Sequence, residues 1–371
     1  MRSFTDELRS RLECPNIPGL DGVRAIAVLV VILYHLGFPG SPDGAHGVMA
    51  FFVLSGFLIT WLLLKENCKY GNISLSGFYR RRVLRIFPAF YCFWLVSVAT
   101  LLLEHQRVWW VSFISAFLYF SNYFYGVSGK SDPVVGMTWS LAVEEQFYLL
   151  WPLCFKRYRG DLRKLTYLLI GIISSISICR GCVSLLLEAP RNYLEYAFEM
   201  RLDHLLDGCL LAVLLKRGAL TSFWRFACGS CFAPLITLLV LVGSLWIGRF
   251  FPFDYHHSVA FVVEPVLVAV LIVQIVFLSA HPLWSWINWP WIRYIGRISY
   301  PLYLYHGFVI GQVSLFWPSL RERWSFPAAL LGSFALASAS YFLIEKQFLK
   351  MKNQPIRKLA PDLRRYPPMT Q

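Results

Sequence analysis

The stretch GLDGVRAIAVLVVILYHLG, residues 19–37, sets Arg24 and His35 inside a mainly apolar run of nineteen residues. A helix that crosses a bilayer needs about 20 such residues, so this run predicts a membrane helix. Arg24 and His35 are eleven residues apart, close to three helical turns, which places both on one stripe about 16 Å apart along the axis. Ionisable groups are costly inside a bilayer and usually face a partner or a cavity. Two readings follow. Either the stripe lines a site reached from both membrane faces, or Arg24 snorkels to the headgroups and His35 rests at the opposite interface.

The composition extends the membrane reading to the whole chain. Of 371 residues, 57% are hydrophobic and only 15% charged, whereas soluble domains carry about 25% charged residues. The 14 Trp, 19 Tyr and 30 Phe suit a chain anchored at membrane interfaces. A net charge of +14 would suit a nucleic-acid binder, but the charges sit in short clusters between apolar runs, which is a topology signal and argues against nucleic acid as a partner. The nine cysteines, among them Cys92, Cys154, Cys179 and Cys209 within apolar runs, are read as neither a metal site nor a disulfide framework. The first 18 residues are polar, include Pro15 and Pro18, and lack the order of a cleavable signal, so the first apolar run is expected to act as an uncleaved anchor.

Ten runs approach membrane-spanning length: 20–38, 46–64, 88–104, 138–155, 165–187, 203–216, 230–251, 258–279, 293–316 and 326–349. The aromatic stretch 109–125 is broken by Ser and Asn and reads as an interfacial or re-entrant segment. With the N-terminus inside, Lys65, Lys69 and Arg80–Arg82 share one cytoplasmic loop, Lys156, Arg157, Arg159, Arg163 and Lys164 the next, and Lys216, Arg217 and Arg225 a third. The opposite loops hold more acids, such as Asp132, Glu188 and Glu195. The expected architecture is therefore an all-α, polytopic bundle of about ten membrane helices with both termini cytoplasmic. It divides into a cytoplasmic N-terminal segment (1–19), a membrane domain (20–350) and a basic tail (351–371).

Five blocks then carry a resemblance. Arg24-x10-His35 is followed by GVMAFFVLSGFLI (47–59), by FYRRR (78–82) with Arg85, Ile86 and Pro88, by WSLAVEEQFY (139–148), and by ISYPLYLYH (298–306) with a terminal Ile344-Glu345-Lys346. Their order from about residue 17 to 350 resembles the acyltransferase-3 family, membrane O-acyltransferases that modify bacterial glycans and related acceptors. Met49 stands where that family usually has an Asp, and Phe90 where an aromatic hydroxyl is common. The family's frequent companion, a C-terminal extracytoplasmic hydrolase-like domain, is not among these residues, so a stand-alone membrane domain is expected.

The resemblance implies acyl transfer, usually acetyl, from a cytoplasmic acyl-CoA to a hydroxyl of a glycan or glycolipid. The acyl-CoA acts as donor substrate, without a tightly bound cofactor, in a bacterial inner membrane. Such a hydroxyl needs a general base, and histidine is poised for that near neutral pH. His35 is the expected base and Arg24 the group that positions the donor. A covalent acyl-histidine is equally compatible. Arg81, Arg82 and Arg85 suit donor phosphates, since guanidinium forks match phosphate oxygens; their plain alternative is a topology anchor against anionic headgroups. Of the two adjacent acids, Glu144 is expected to cap or solvate the helix entrance, and Glu145 to face inward and either orient His35 or pair with an arginine. Ser55, Tyr148 and His306 are secondary candidates: Ser-Gly-Phe at 55–57 equally suits close helix packing, and a lone membrane histidine is more often a bonded helix contact. Asp203 and Asp207 read as structural ion-pair partners beside Arg201, and His256 and His257 as loop residues beside Asp254. A competing reading is a transporter or flippase of an anionic or acylated solute, with Arg24 and His35 lining its path. A third is a scaffold or sensor without activity.

Overall fold

The computed structural model describes residues 4–186, 191–248, 250–251, 255–316 and 322–352, and among them every regular element is helical. α1 (Phe4–Glu13) is short, with Leu8 and Leu12 buried. α2 (Leu20–His35) begins after Gly19, which turns left-handed at φ 82°. α3 (Gly44–Tyr70) starts where the Asp43 carboxylate accepts the Ala45 N–H at 2.8 Å, and α4 (Leu75–Leu103) where the Ser74 hydroxyl accepts that of Gly77 at 3.1 Å. Such caps satisfy backbone donors that a helix start leaves open.

α5 (Trp110–Phe117) and α6 (Ser121–Ser128) are eight residues each, about 12 Å long, too short to cross a hydrocarbon core of about 30 Å. Between them Tyr119 takes φ 56°. Side chains of the neighbouring long helices accommodate the interruption: Trp94 Nε1 donates to Phe113 O (2.8 Å) and Gln146 Nε2 to Tyr119 O (2.9 Å). The interfacial or re-entrant reading of 109–125 matches this pair.

α7 (Thr138–Tyr158), α8 (Leu162–Leu186), the single-turn α9 (Arg191–Tyr196), α10 (Phe198–Arg217), α11 (Thr221–Ala227) and α12 (Ala233–Gly248) follow. A π-helical turn at His256–Ala260 leads into α13 (Phe261–Leu278). α14 (Pro290–Arg297) and α15 (Ser299–Phe316) divide the run 293–316 at Ile298. α16 (Glu322–Ser340), a second π turn at Tyr341–Glu345 and α17 (Lys346–Lys352) end the described chain. Each of the ten runs falls on a helix. Five helical stretches among the described residues are both long and apolar enough to cross a membrane: Gly44–Tyr70, Leu75–Leu103, Leu162–Ser184, His256–Leu278 and Ser325–Met351. Large apolar side chains stay exposed along α12 (Leu235, Ile236, Leu239, Val240, Val242), which suits lipid rather than water. The chain is an integral membrane protein.

Glycines set the central packing. A Cβ on Gly56 of α3 would lie 1.8 Å from Leu205 O of α10, and one on Gly208 of α10 would lie 2.0 Å from Val53 O of α3. Gly47 meets Ala27 O of α2 in the same way at 2.4 Å, and Gly296 of α14 meets Asp21 O of α2 at 1.9 Å. Small residues let membrane helices approach to backbone contact, where van der Waals packing replaces a missing hydrophobic drive.

Two C-x-x-C spacings occur in the sequence, at Cys179–Cys182 and Cys228–Cys231. The structure leaves all nine cysteines as free thiols, with Cys179 and Cys182 exposed on α8. Among the described residues no three His, Cys, Asp or Glu side chains converge on a metal-sized site. Glu188, Asp254 and residues 353–371 of the basic tail lie outside the described residues.

The packing makes a direct prediction. Gly208→Ala has no room against the α3 backbone, so overpacking is expected to cost about 1–3 kcal/mol or more and to lower Tm of the detergent-extracted protein by several degrees. Gly181→Ala, with nothing within 4 Å of its Cβ, is the matched control and should leave Tm unchanged or slightly higher, as Ala favours helix over Gly.

Candidate active site

Five helices, α2, α3, α4, α7 and α15, bring polar residues to one cavity of about 370 Å³. α2 contributes Arg24, α4 Arg82 and Arg85, α3 Ser55, and α7 Glu144 and Tyr148. The link before α2 (Cys14–Ile17) and Lys65 line the same space. The acids are all engaged. Ser55 Oγ donates to Glu144 Oε1 at 2.8 Å and Tyr148 OH to Glu144 Oε2 at 3.2 Å. Arg24 Nη1 donates to Asp21 Oδ1 at 3.2 Å. The Arg82 guanidinium lies 4.9 Å over the Tyr148 ring, so a cation–π contact and that tyrosine's bond to Glu144 hold it toward the cavity. Three guanidiniums and Lys65 face two carboxylates, and such an excess of forks suits an anionic ligand.

Ser140 and Tyr303 also line the cavity. Tyr303 OH bonds Ser140 Oγ (2.6 Å) and donates to Met137 O (2.9 Å), which locks the ring of α15 onto α7. One turn on, His306 Nδ1 donates to the Tyr303 carbonyl at 2.6 Å. His306 is fully buried, and its Nε2 has no partner among the described residues. His35 of α2 stacks near it, with ring centroids 4.9 Å apart. Its Nδ1 donates to Val31 O at 2.8 Å, and the residue is exposed. A carbonyl only accepts, so a neutral imidazole bound in this way carries its proton on Nδ1 and a lone pair on Nε2. Both histidines therefore present the basic nitrogen away from their own helix.

The structure thus brings Arg24, Arg82, Arg85, Ser55 and Tyr148 together, and separately pairs His35 with His306. Two site residues stand elsewhere than the sequence suggests. Arg81 Nη2 donates to Glu66 Oε2 at 2.8 Å, and Glu66 Oε1 accepts the Ser74 N–H at 2.7 Å; this arginine braces the α3–α4 hairpin outside the cavity lining. Glu144 meets Ser55 and Tyr148 instead of capping the helix entrance, whereas Glu145 lies on the next face of α7, near Arg82, Tyr91 and Tyr119. His35 takes its orienting bond from the main chain rather than from Glu145. Successive helical residues point about 100° apart, so the adjacent pair could not share one direction. Met49 is buried in the core, and the Phe90 ring stacks on Tyr119 at 4.6 Å.

A second polar network escaped the sequence reading. Arg180 of α8, fully buried, bridges Asp203 of α10 (2.7 Å), Met200 O (2.7 Å) and His257 O (3.1 Å). Arg201 pairs with Glu195 of α9, and that carboxylate also meets His257 (2.9 Å) and His256 (3.4 Å). Burial alone would push the Glu195 carboxyl up, but the Arg201 guanidinium and the two imidazoles hold it well below the usual carboxylate range. His46, at the start of α3, lies 3.3 Å from Glu264, which also accepts from Ser244 at 2.7 Å. Asp203 is thus an ion-pair residue, with Arg180 rather than Arg201 as its short partner, and His257 is buried rather than a loop group. Arg180, nineteen residues into an apolar run at 162–186, was the signal: a charge at that depth requires a partner.

Comparison with known proteins agrees with this architecture. The family model described as an acyltransferase domain, acyltransferase-3, matches residues 17–342. The YrhL protein of Bacillus subtilis is 32% identical over 357 residues, covering 89% of this chain and 54% of its own. The peptidoglycan O-acetyltransferase OatA of Listeria monocytogenes is 30% identical over 361 residues (90% and 56%), and the O-acetyltransferase OatA of Staphylococcus aureus 33% over 363 residues (90% and 57%). The chain spans a little over half the length of these relatives. No solved structure gives a significant match. The matched span contains every helix that lines the cavity and both members of the histidine pair, and the chain belongs to the acyltransferase-3 family.

Proposed function

We propose that this protein is a membrane O-acyltransferase that moves an acyl group, acetyl in the first instance, from a cytoplasmic acyl-CoA to a glycan hydroxyl on the other side of a bacterial cytoplasmic membrane. One observation carries the reading: Tyr303 lines the arginine-bearing cavity and holds His306 with its carbonyl. An anion site and a basic pair are therefore joined through one residue. With both termini cytoplasmic, the cavity opens inward and His35 lies outward, as the basic loops require.

In the proposed reaction Arg24, Arg82 and Arg85 hold the donor's phosphates, and the thioester reaches Ser140 and Tyr303. His35 Nε2 takes the proton of the acceptor hydroxyl as its oxygen attacks the thioester carbonyl. The tetrahedral oxyanion collapses to the ester, the C–S bond breaks, and the thiolate takes the proton back from His35 to leave as free CoA. The relatives' names point to peptidoglycan or a comparable surface glycan as acceptor.

Membranes given acetyl-CoA labelled in the acetyl group test the reading, and label on extractable glycan is expected. Removing a general base costs about 100- to 10,000-fold in rate, so His35→Ala should lose transfer by that order while binding of CoA persists. A His35→Ala protein with full transfer would remove His35 as base, and label crossing the membrane without becoming glycan-bound would favour a transporter.

The arginines separate by position. Arg82→Lys, in the cavity, is expected to raise the donor KM about tenfold, since an ammonium cannot reproduce a bidentate fork. Arg81→Lys, bound to Glu66, should leave donor KM near wild type. Equal KM values for the two variants would refute the phosphate-binding role.

A further inference from the structure

A second cavity, about 290 Å³, adjoins the first beneath α1. Trp61 lines both; its Nε1 donates to Leu12 O at 3.0 Å, and Lys216 Nζ lies 5.8 Å over its ring. The Lys65–Glu13 ion pair (3.6 Å) has one member in each lining. Arg9, Lys216 and Arg217 bring three cations to the second cavity against Asp6 and Glu13, and Glu13 is already paired with Lys65. Arg217 also donates to Thr166 Oγ1 (2.7 Å). Trp224, 5% exposed, adds a second indole, and its N–H has no partner among the described residues.

We propose that this second cavity holds the 3′-phosphoadenosine end of the donor, whose thioester arm passes Trp61 into the arginine-lined cavity. The proposal rests on the acyl-CoA reading and refines it. A phosphomonoester takes charge-assisted bonds from Lys216 and Arg9, and a purine has a π-face that indole rings accept without regard to sequence. Ligand cavities usually span about 300–1,000 Å³, and each of these two sits at the low end. Neither alone holds an extended cofactor, and Trp61, common to both linings, marks the point where one molecule would pass from the first to the second. An anionic lipid headgroup offers the same phosphate but no purine.

Dissociation constants of CoA, 3′-dephospho-CoA and 4′-phosphopantetheine, measured on the full chain in phosphatidylcholine liposomes with and without phosphatidylglycerol, decide the matter. In wild type each removal should weaken binding about tenfold, as one charged or stacking contact does. Lys216→Glu should abolish the difference between CoA and 3′-dephospho-CoA, Lys216→Arg should restore it, and Trp224→Ala should abolish the difference between 3′-dephospho-CoA and 4′-phosphopantetheine. Equal weakening of all three ligands in Lys216→Glu, or none, overturns this inference and leaves the acyl-CoA reading intact. So does a Lys216 effect seen only when phosphatidylglycerol is present, which would assign the cavity to lipid. No binding of CoA to wild type would overturn both.

Discussion

Backbone contact between α3 and α10 is the constraint on which the rest of the bundle depends. Gly56 and Gly208 bring the two helices to within a Cβ of each other's carbonyls, a separation that no other residue allows. Ser55, the neighbour of Gly56, is turned by one helical step toward α7, and there it meets Glu144. The same α3 receives Ala27 of α2 against Gly47, and α2 receives Gly296 of α14 on its other side. Arg24 is therefore fixed by clamping its helix on two flanks. A cavity between helices needs walls that do not collapse, and backbone contact supplies them more rigidly than interleaved leucines, whose rotamers can shift.

Electrostatics then works against stability inside that frame. Arg24, Arg82, Arg85 and Lys65 share one cavity with Asp21 and Glu144, and like charges held together away from bulk water repel. The protein limits the cost by spreading contacts. Arg82 rests on the Tyr148 and Phe78 rings, and Arg24 on Asp21. Elsewhere the opposite policy holds. Arg180 and Asp203 form a closed, fully buried pair, and both Arg180 and Arg201 sit over the Phe261 ring at 4.9 and 4.1 Å. One network is satisfied within the protein, while the other retains cationic capacity for a ligand.

Much of this was legible in the sequence because membrane helices obey a length rule that residues announce directly. All ten apolar runs fall on helices, and the broken aromatic stretch at 109–125 forms two short ones. Arg24, Arg82, Arg85, Ser55 and Tyr148 converge because each lies in a motif. What one chain could not reveal was direction across helices. Adjacent Glu144 and Glu145 are equivalent as letters, and only the rotation of α7 decides that the first meets Ser55. Arg81 shares a cluster with Arg82 and Arg85 in the sequence, yet Glu66, fifteen residues earlier, takes it across the hairpin and away from the cavity they line. Arg180, Glu195 and His257 belong to three separate elements, so their network exists only once the helices are packed.

The histidine pair divides two requirements between two residues. A base for an acceptor hydroxyl must be open to that acceptor, and His35 is exposed at its end of the bundle, while His306 is fully buried one turn beyond Tyr303. Both imidazoles are fixed in the same tautomer by carbonyls, from Val31 and Tyr303. Their Nε2 atoms therefore cannot both turn into donors without one ring leaving its main-chain bond or gaining a proton. A proton taken up by His35 from the acceptor would place a cation 4.9 Å ring-to-ring from His306, and repulsion between two imidazoliums disfavours a second charge there. In the proposed reaction the exposed ring therefore faces the hydroxyl, while the Tyr303 carbonyl anchors the buried ring next to a residue of the cavity lining.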